Sequence, residues 1–218
     1  ASKACGNGDV YVEEFLPEAR HIEVQIAGDG HQFVHLWERE CTLQRRHQKL
    51  VEVAPSPGLD PALRDALLEA ALSMARKLDY RGIGTFEFLV ETNGKSPARW
   101  AFIEANPRLQ VEHTVTEAVT GIDLVESQLR IADMRSLADL GMEQSSIPAP
   151  RGFAIQARVN METITSDGTT LPSGGTLTAF DPPSGPGIRI DTYGYTGYTT
   201  NPSYDSLIAK LIAHSPSS

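Results

Sequence analysis

Cysteine is almost missing from this sequence: Cys5 and Cys41 are the only two in 218 residues. They lack the paired spacing of a metal knuckle and allow one bridge at most. That excludes a disulfide-scaffolded domain and makes a reducing compartment, the cytoplasm, the expected setting. Basic charge is in deficit as well, with 19 Lys and Arg against 28 Asp and Glu and a net charge of −9. Nucleic-acid binders carry a net basic face, so no nucleic-acid partner is expected. No apolar run approaches the roughly 20 residues of a membrane-spanning helix, and no basic-then-apolar signal opens the chain, so no membrane partner is expected either. Internal repeats, low-complexity tracts and a Walker-type phosphate loop (GxxxxGK followed by Ser or Thr) are also missing.

What is present is a chain 40% hydrophobic, enough for one sizeable core or for a core with a small second domain. Strand-like patterns mark 9–16, 21–29 and 31–40, the last two joined by a Gly28-Asp29-Gly30 turn. "APSPGLDP" (54–61) reads as a loop ending in a helix start, with Asp60 as cap and Pro61 at the first helical position. Leu63, Ala66, Leu67, Ala70, Ala71, Met74, Ala75 and Leu78 then recur at helical period. "IGTFEFLVE" (83–91), a turn at 92–97 and "ARWAFIEAN" (98–106) predict a second hairpin, and helices are expected near 114–120 and 122–133. "SSIPAP" (145–150) has the composition of a linker, and short strands follow: "GFAIQARVN", "TLTAF", "GIRIDT" and "SLIAKLIAH". The expected organisation is α+β over 1–145, then a small mostly-β domain over 146–218.

The chemistry concentrates in "FIEANPRLQVEH" (102–113), where Glu104, Asn106, Arg108, Gln110 and Glu112 occupy every second position. A solvated strand face gives the same alternation. Against it, lysine is absent, Pro107 breaks a ladder so that 108–112 leaves the sheet as a loop, and Glu87 lies between Phe86 and Phe88 in the neighbouring strand. Paired as a hairpin, Glu87 and Glu104 can lie side by side, where two carboxylates repel unless a divalent ion lies between them. With Asn106 they make a sparse oxygen site suited to Mg²⁺, the kind that serves phosphoryl transfer. "CTLQRRHQK" (41–49) packs Arg45, Arg46, His47 and Lys49 together, either as an exposed basic run or as an anion-binding cleft wall. Arg158 alternates within a later strand and reads, alone, as a surface residue.

"RHIEVQIAGDG", "ERECTLQRRHQK", "GIGTFEFLVE", "FIEANPRLQVEHTVTEAVTGIDLVESQLRIA" and "YDSLIAKLIAH" together resemble the biotin carboxylase component of biotin-dependent carboxylases, the acyl-CoA and pyruvate carboxylases among them. The resemblance covers nearly the whole chain in order. It implies the C-terminal part of an ATP-grasp domain followed by a biotin carboxylase C-terminal domain, making carboxybiotin from ATP, bicarbonate and biotin by way of carboxyphosphate, with Mg²⁺ or Mn²⁺. Carried over position by position, Glu87, Glu104 and Asn106 resemble the metal site and Glu112 the base that deprotonates bicarbonate. Arg108, Gln110 and the Val111 backbone resemble the holders of that anion. Lys49 resembles the lysine that supports bicarbonate and carboxyphosphate, and Arg158 the arginine that stabilises the biotin enolate. Glu13 and Leu16 match positions at adenine; His21, Gln44 and His47 match positions around the ribose. The implied partners are a biotin carrier domain and a carboxyltransferase domain or subunit, in a parent that is a homo-oligomer.

The sequence departs from the family at Glu14, where lysine is common, and over "NMETITSDGTTLPSGG" (160–175), which lacks the usual Asp-Pro. The family's Gly-rich phosphate loop has no counterpart in the sequence, so an N-terminally truncated fragment, inactive alone, is expected. Two other readings stay open: another ATP-grasp ligase, such as a carbamoyl phosphate synthase half, and a non-catalytic assembly or docking piece. "RRHQK", "QVEH" and "YDSLIAK" favour the biotin enzyme.

Overall fold

The structure, a computed structural model, describes residues 6, 8–10, 12–92 and 98–217. Its centre is β1 (Ala19–Asp29), which is paired on both sides: with β2 (Phe33–Arg45), and with β4 (Arg81–Glu91). A strand paired on both edges and covered on both faces has no solvated side, and residues 22–29 of β1 are all buried. β3 (Gln48–Ala54), β5 (Trp100–Asn106), β6 (Phe153–Asn160), β10 (Ile188–Thr192) and β12 (Leu207–Ser215) complete an eight-stranded antiparallel sheet in the order β10-β12-β6-β3-β2-β1-β4-β5. The sheet is continuous across residue 145, through the β3–β6 pairing. Two small hairpin-like pairs lie apart from it: β7 (Glu162–Ile164) with β8 (Thr170–Pro172), and β9 (Gly175–Thr176) with β11 (Thr199–Thr200).

One sheet face is apolar. Ile22, Val24, Ile26, Phe86, Phe88 and Val90 pack against Leu67, Leu68, Ala71, Leu72 and Ala75 of α1 (Pro61–Lys77). Each such large side chain contributes about 1.5–3 kcal/mol on burial. The helix starts as the sequence requires, with Asp60 Oδ1 accepting from the Leu63 amide at 3.0 Å and Pro61 in its first turn. The opposite face is apolar at the Gly28 end, where Ala27, Val34, Leu36 and Ile83 meet Leu124 and Ile131 of α3 (Leu124–Ala132), and again where Ala54, Ala154 and Ile212 pack with Val115 and Val119. Along the same face Glu23, Gln25, Thr85 and Glu87 follow, and α2 (His113–Thr120) packs alongside them on β2, β3, β6 and β12. A bulge at Trp37 (φ 66°) shifts the alternation of β2 by one residue, which turns Arg39 onto this polar stretch beside Glu23.

Several expectations need correction. Residues 9, 10 and 12–16 form no strand; Val12 and Phe15 are 98% and 83% exposed, because this alternating stretch has no sheet edge beside it. Of "TLTAF" only Thr176 belongs to a strand, and 48–54, not foreseen as a strand, is β3. The "SSIPAP" stretch is docked: Ile147 is buried and Trp37 Nε1 donates to Pro148 O at 2.8 Å, while the side chain of Gln144, just before it, bonds the His35 backbone. Most of the 92–97 turn, from 93 on, and Cys5 lie outside the described residues; Cys41 is a buried free thiol. No helix is long and apolar enough to cross a membrane among the described residues.

Asp29 pins the β1–β2 turn to the segment after α3. Its Oδ1 accepts from the His31 and Gln32 amides at 2.9 and 2.7 Å, and its Oδ2 from the Leu137 amide at 2.8 Å. Burial works against this charge, but the backbone donors outweigh it and hold the carboxyl below the ordinary Asp range. A depressed pKa adds stability that is present above the unfolded-chain value and lost as pH falls through the folded one. Asp29→Asn turns an amide N–H toward a backbone N–H, at a cost of about 2 kcal/mol. Urea titrations should find that deficit at pH 7 and see it shrink towards zero in acid; a deficit independent of pH would refute the assignment.

Candidate functional site

Register puts four charged side chains in one row across four strands. Arg39 of β2 faces Glu23 of β1, Glu23 faces Glu87 of β4, and Glu87 faces Glu104 of β5. Glu87 and Glu104 point to the same side of the sheet, since Asn106 Nδ2 reaches Glu87 Oε1 at 2.7 Å and Glu104 Oε1 at 2.8 Å. β5 ends at Asn106, and 107–112 runs on as a loop, as Pro107 predicts. That loop folds back over the row: Gln110 Nε2 donates to Glu87 Oε1 at 2.7 Å, and Arg108 Nη2 to Asn106 Oδ1 at 3.3 Å.

The buried acids are matched by cations. Lys49 Nζ bonds Glu23, and contacts Glu112 Oε1 at 2.8 Å and Glu87 Oε1 at 3.2 Å. Burial disfavours its charge, yet the Glu23 and Glu112 carboxylates outweigh that and hold the ammonium above its ordinary range. His21 Nε2 lies 2.5 Å from Glu87 Oε2 and 3.3 Å from Glu23 Oε1. Burial opposes its charge too, but those two carboxylates raise its pKa to about 9. Glu87 is desolvated, and His21, Lys49 and Gln110 more than reverse the effect, taking it down to about 2.

Beyond Lys49 the row continues into β3 and β6. Glu112 Oε2 accepts from Arg158 Nη2 at 2.9 Å, and Arg158 Nε donates to Glu52 Oε1 at 2.6 Å. Val111 O accepts from Lys210 Nζ at 3.0 Å. A cleft of about 410 Å³ opens over the Glu87–Glu104 end, lined by His21, Gln44, His47, Lys49, Glu87 and Glu104 among others. Gln44 Nε2 is 3.0 Å from His21 Nδ1. His47 is at the tip of the β2–β3 hairpin, a two-residue turn in which Arg46 and His47 have φ of 51° and 64°. The basic run is therefore divided: Lys49 enters the site, His47 lines its mouth, and Arg45 and Arg46 turn away to Glu162 and Thr169 of the unusual 160–175 segment. Glu13 and Leu16, on the irregular lead, are not among the residues lining the cleft. Glu14 makes a two-pronged pair with Arg99 at 2.7 and 2.5 Å.

The donor set fits a divalent ion. Glu87 and Glu104 already share one positive hydrogen-bond end, and a half-turn of the Asn106 amide would offer its oxygen in that place. Three oxygens suit Mg²⁺ or Mn²⁺. His21, Glu23 and Glu87 form a second group with ligand atoms within 4.8 Å of one another. Glu23, Gln25, Arg39, Glu52 and Gln156, all at most 1% exposed, were not singled out in the sequence. The available signal was "HIEVQIA", an acid between β-branched residues with the same pattern as "TFEFL".

Residues 1–140 match the family model for the carbamoyl-phosphate synthase L chain ATP binding domain, and residues 156–218 match that for the biotin carboxylase C-terminal domain. Pyruvate carboxylase 1 of Caenorhabditis elegans is 47% identical over 98% of this chain and 18% of its own length. Biotin carboxylase of Nostoc sp. is 46% identical over 99% of this chain and 46% of its own. A solved biotin carboxylase domain of a thermophilic 2-oxoglutarate carboxylase, described as bound to bicarbonate, superposes with a TM-score of 0.86 at 40% identity, covering 99% of this chain and 46% of that one. The chain thus spans less than half the length of these relatives.

Proposed function

The chain belongs to the biotin carboxylase family, and we propose that its polar row carries out the ATP- and bicarbonate-dependent carboxylation of biotin within a longer carboxylase. The observation that carries the reading is the register pair Glu87–Glu104, from which the loop 107–112 leads directly to Glu112. Glu87, Glu104 and Asn106 would hold a divalent ion, which would neutralise the terminal phosphates of ATP. Arg108, Gln110 and the Val111 amide hold bicarbonate in line for attack, which converts a poor encounter into an oriented one. Glu112 takes the bicarbonate proton, and the Lys49 ammonium stabilises the anion and then carboxyphosphate. As carboxyphosphate yields CO₂ and phosphate, phosphate accepts the ureido proton of biotin and Arg158 stabilises the enolate. His21, Gln44 and His47 border the ribose, and Glu13 and Leu16 the adenine.

Biotin arrives on a carrier domain, and a carboxyltransferase domain or subunit passes the carboxyl group to an acyl-CoA or to pyruvate. The proposed parent is a homo-oligomer, its compartment the cytoplasm, and its boundary between ATP-grasp and C-terminal domains lies near residue 145. The test is incubation of the carboxylase carrying this sequence with ATP, Mg²⁺, labelled bicarbonate and free biotin. Acid-labile label on biotin, equimolar with ADP and absent without bicarbonate, is expected. ATP cleavage stimulated by ammonia and indifferent to biotin would instead indicate the carbamoyl phosphate synthase type of chemistry.

A further inference from the structure

Glu52 is a carboxylate with no access to solvent, and it is the only acid on β3. Its register partner across the β3–β6 junction is Gln156, itself fully buried. Both oxygens are committed. Oε1 accepts from Arg158 Nε at 2.6 Å and Oε2 from Gln156 Nε2 at 2.8 Å. The Gln156 carbonyl is in turn held by the Thr114 hydroxyl of α2, which leaves Gln156 only its amide end to offer Glu52. Burial pushes the Glu52 carboxyl up, and its pairing with Arg158 works against that. A carboxylate in such a place costs several kcal/mol unless a cation compensates it, and an apolar residue would fill the gap more cheaply.

Arg158 is held at two points, Nε by Glu52 and Nη2 by Glu112, with the Nη1 end engaged by neither carboxylate. These two contacts are not equivalent. Glu112 is the group proposed to accept a proton, and protonation removes the charge that attracts Arg158. Without a second anchor, a long flexible side chain that is already 12% exposed would swing away at that moment. We propose that Glu52 is a positioning residue: it locks the Nε edge of Arg158, oriented by the Thr114–Gln156 relay, so that the other edge stays aimed at substrate when Glu112 lets go.

The kinetic part of this inference rests on the biotin carboxylation reading, so the first measurement does not. Arginine side-chain ¹⁵N spectra of this chain should contain a slowly exchanging Arg158 Nε–H, identified by its loss in Arg158→Lys. In Glu52→Gln that proton should exchange about 10-fold faster or more, while the melting temperature stays within a few degrees. In the whole carboxylase the same variant should lose about 100-fold in biotin carboxylation kcat, with bicarbonate-dependent ATP cleavage in the absence of biotin reduced less than about 3-fold. Unchanged Nε–H protection in Glu52→Gln overturns the proposal, whatever the kinetics. So does a parallel fall of both partial reactions with a collapsed melting temperature, which would make Glu52 a purely structural residue. If the wild-type enzyme carboxylates no biotin, the functional reading fails and the exchange measurement alone decides the positioning role.

Discussion

Arg39→Met should destabilise the fold by about 3–5 kcal/mol, a fifth or more of the roughly 5–15 kcal/mol that a domain ordinarily has. Arg39 is 0% exposed and every one of its five N–H donors is used. Nε donates to Glu23 Oε2 at 2.9 Å; Nη1 to Gln25 Oε1 at 2.8 Å and Thr116 Oγ1 at 3.3 Å; Nη2 to Thr85 Oγ1 at 3.0 Å and Gln110 Oε1 at 2.8 Å. The acceptors come from β1, β4, the 107–112 loop and α2, so one guanidinium joins the sheet to everything above it. Burial works against its charge, and Glu23 and Glu112 outweigh that, which keeps it above its ordinary range. Methionine fills a similar volume and satisfies none of these acceptors. The penalty therefore comes from stranded polar groups and not from a cavity. Urea unfolding at pH 7 measures it, and Arg39→Met combined with Glu23→Gln should recover part of the loss. A single-variant cost under about 1 kcal/mol would show that water reaches the cluster. The same contact orients Gln110: with Oε1 held by Arg39, only its amide end can face Glu87 and an incoming anion.

What the sequence disclosed and what it hid divide along sequence separation. The Glu87–Glu104 hairpin is local, the period-two run that starts at Glu104 lies on the Pro107 side of the one register shift, between Glu87 and Phe88, and Pro107 marks where the loop leaves, so that half of the site was legible. The Asp60-Pro61 helix start is equally local. Glu23 and Gln25 did not stand out because nothing near them says that β1 is central; that follows from its pairing with β4, some sixty residues on. Arg39 was hidden twice, by distance and by the Trp37 bulge that reverses the alternation of β2. β3 escaped notice because the Arg46-His47 turn takes two left-handed residues without the Asn or Gly that usually announces one. Glu52 and Gln156 meet across more than a hundred residues, and no periodicity encodes that pairing. The 9–16 stretch erred the other way, having strand composition but no edge to pair with.

Glu112→Gln should lower kcat for bicarbonate-dependent ATP cleavage by about 10²–10⁴-fold, the usual contribution of a positioned base. Glu112 is 2% exposed, and each of its oxygens has one cationic partner, Lys49 at 2.8 Å and Arg158 at 2.9 Å. Neither neighbour can take the proton in its place. The Lys49 ammonium is held protonated by the surrounding carboxylates, and an arginine does not deprotonate in a protein. The glutamine isostere keeps the shape but must turn its amide N–H toward one of the two cations, so some loss of anchoring accompanies the loss of the base. The pH profile separates the two. If proton transfer is what is missing, the residual rate of the variant climbs with pH as hydroxide or buffer substitutes, and small carboxylates such as formate restore part of it. If anchoring is what is missing, the rate falls by a constant factor at every pH and formate does nothing. A variant retaining more than about a tenth of wild-type kcat would remove Glu112 from the proton path, and with it the reason for Lys49 and Arg158 to converge on one carboxylate.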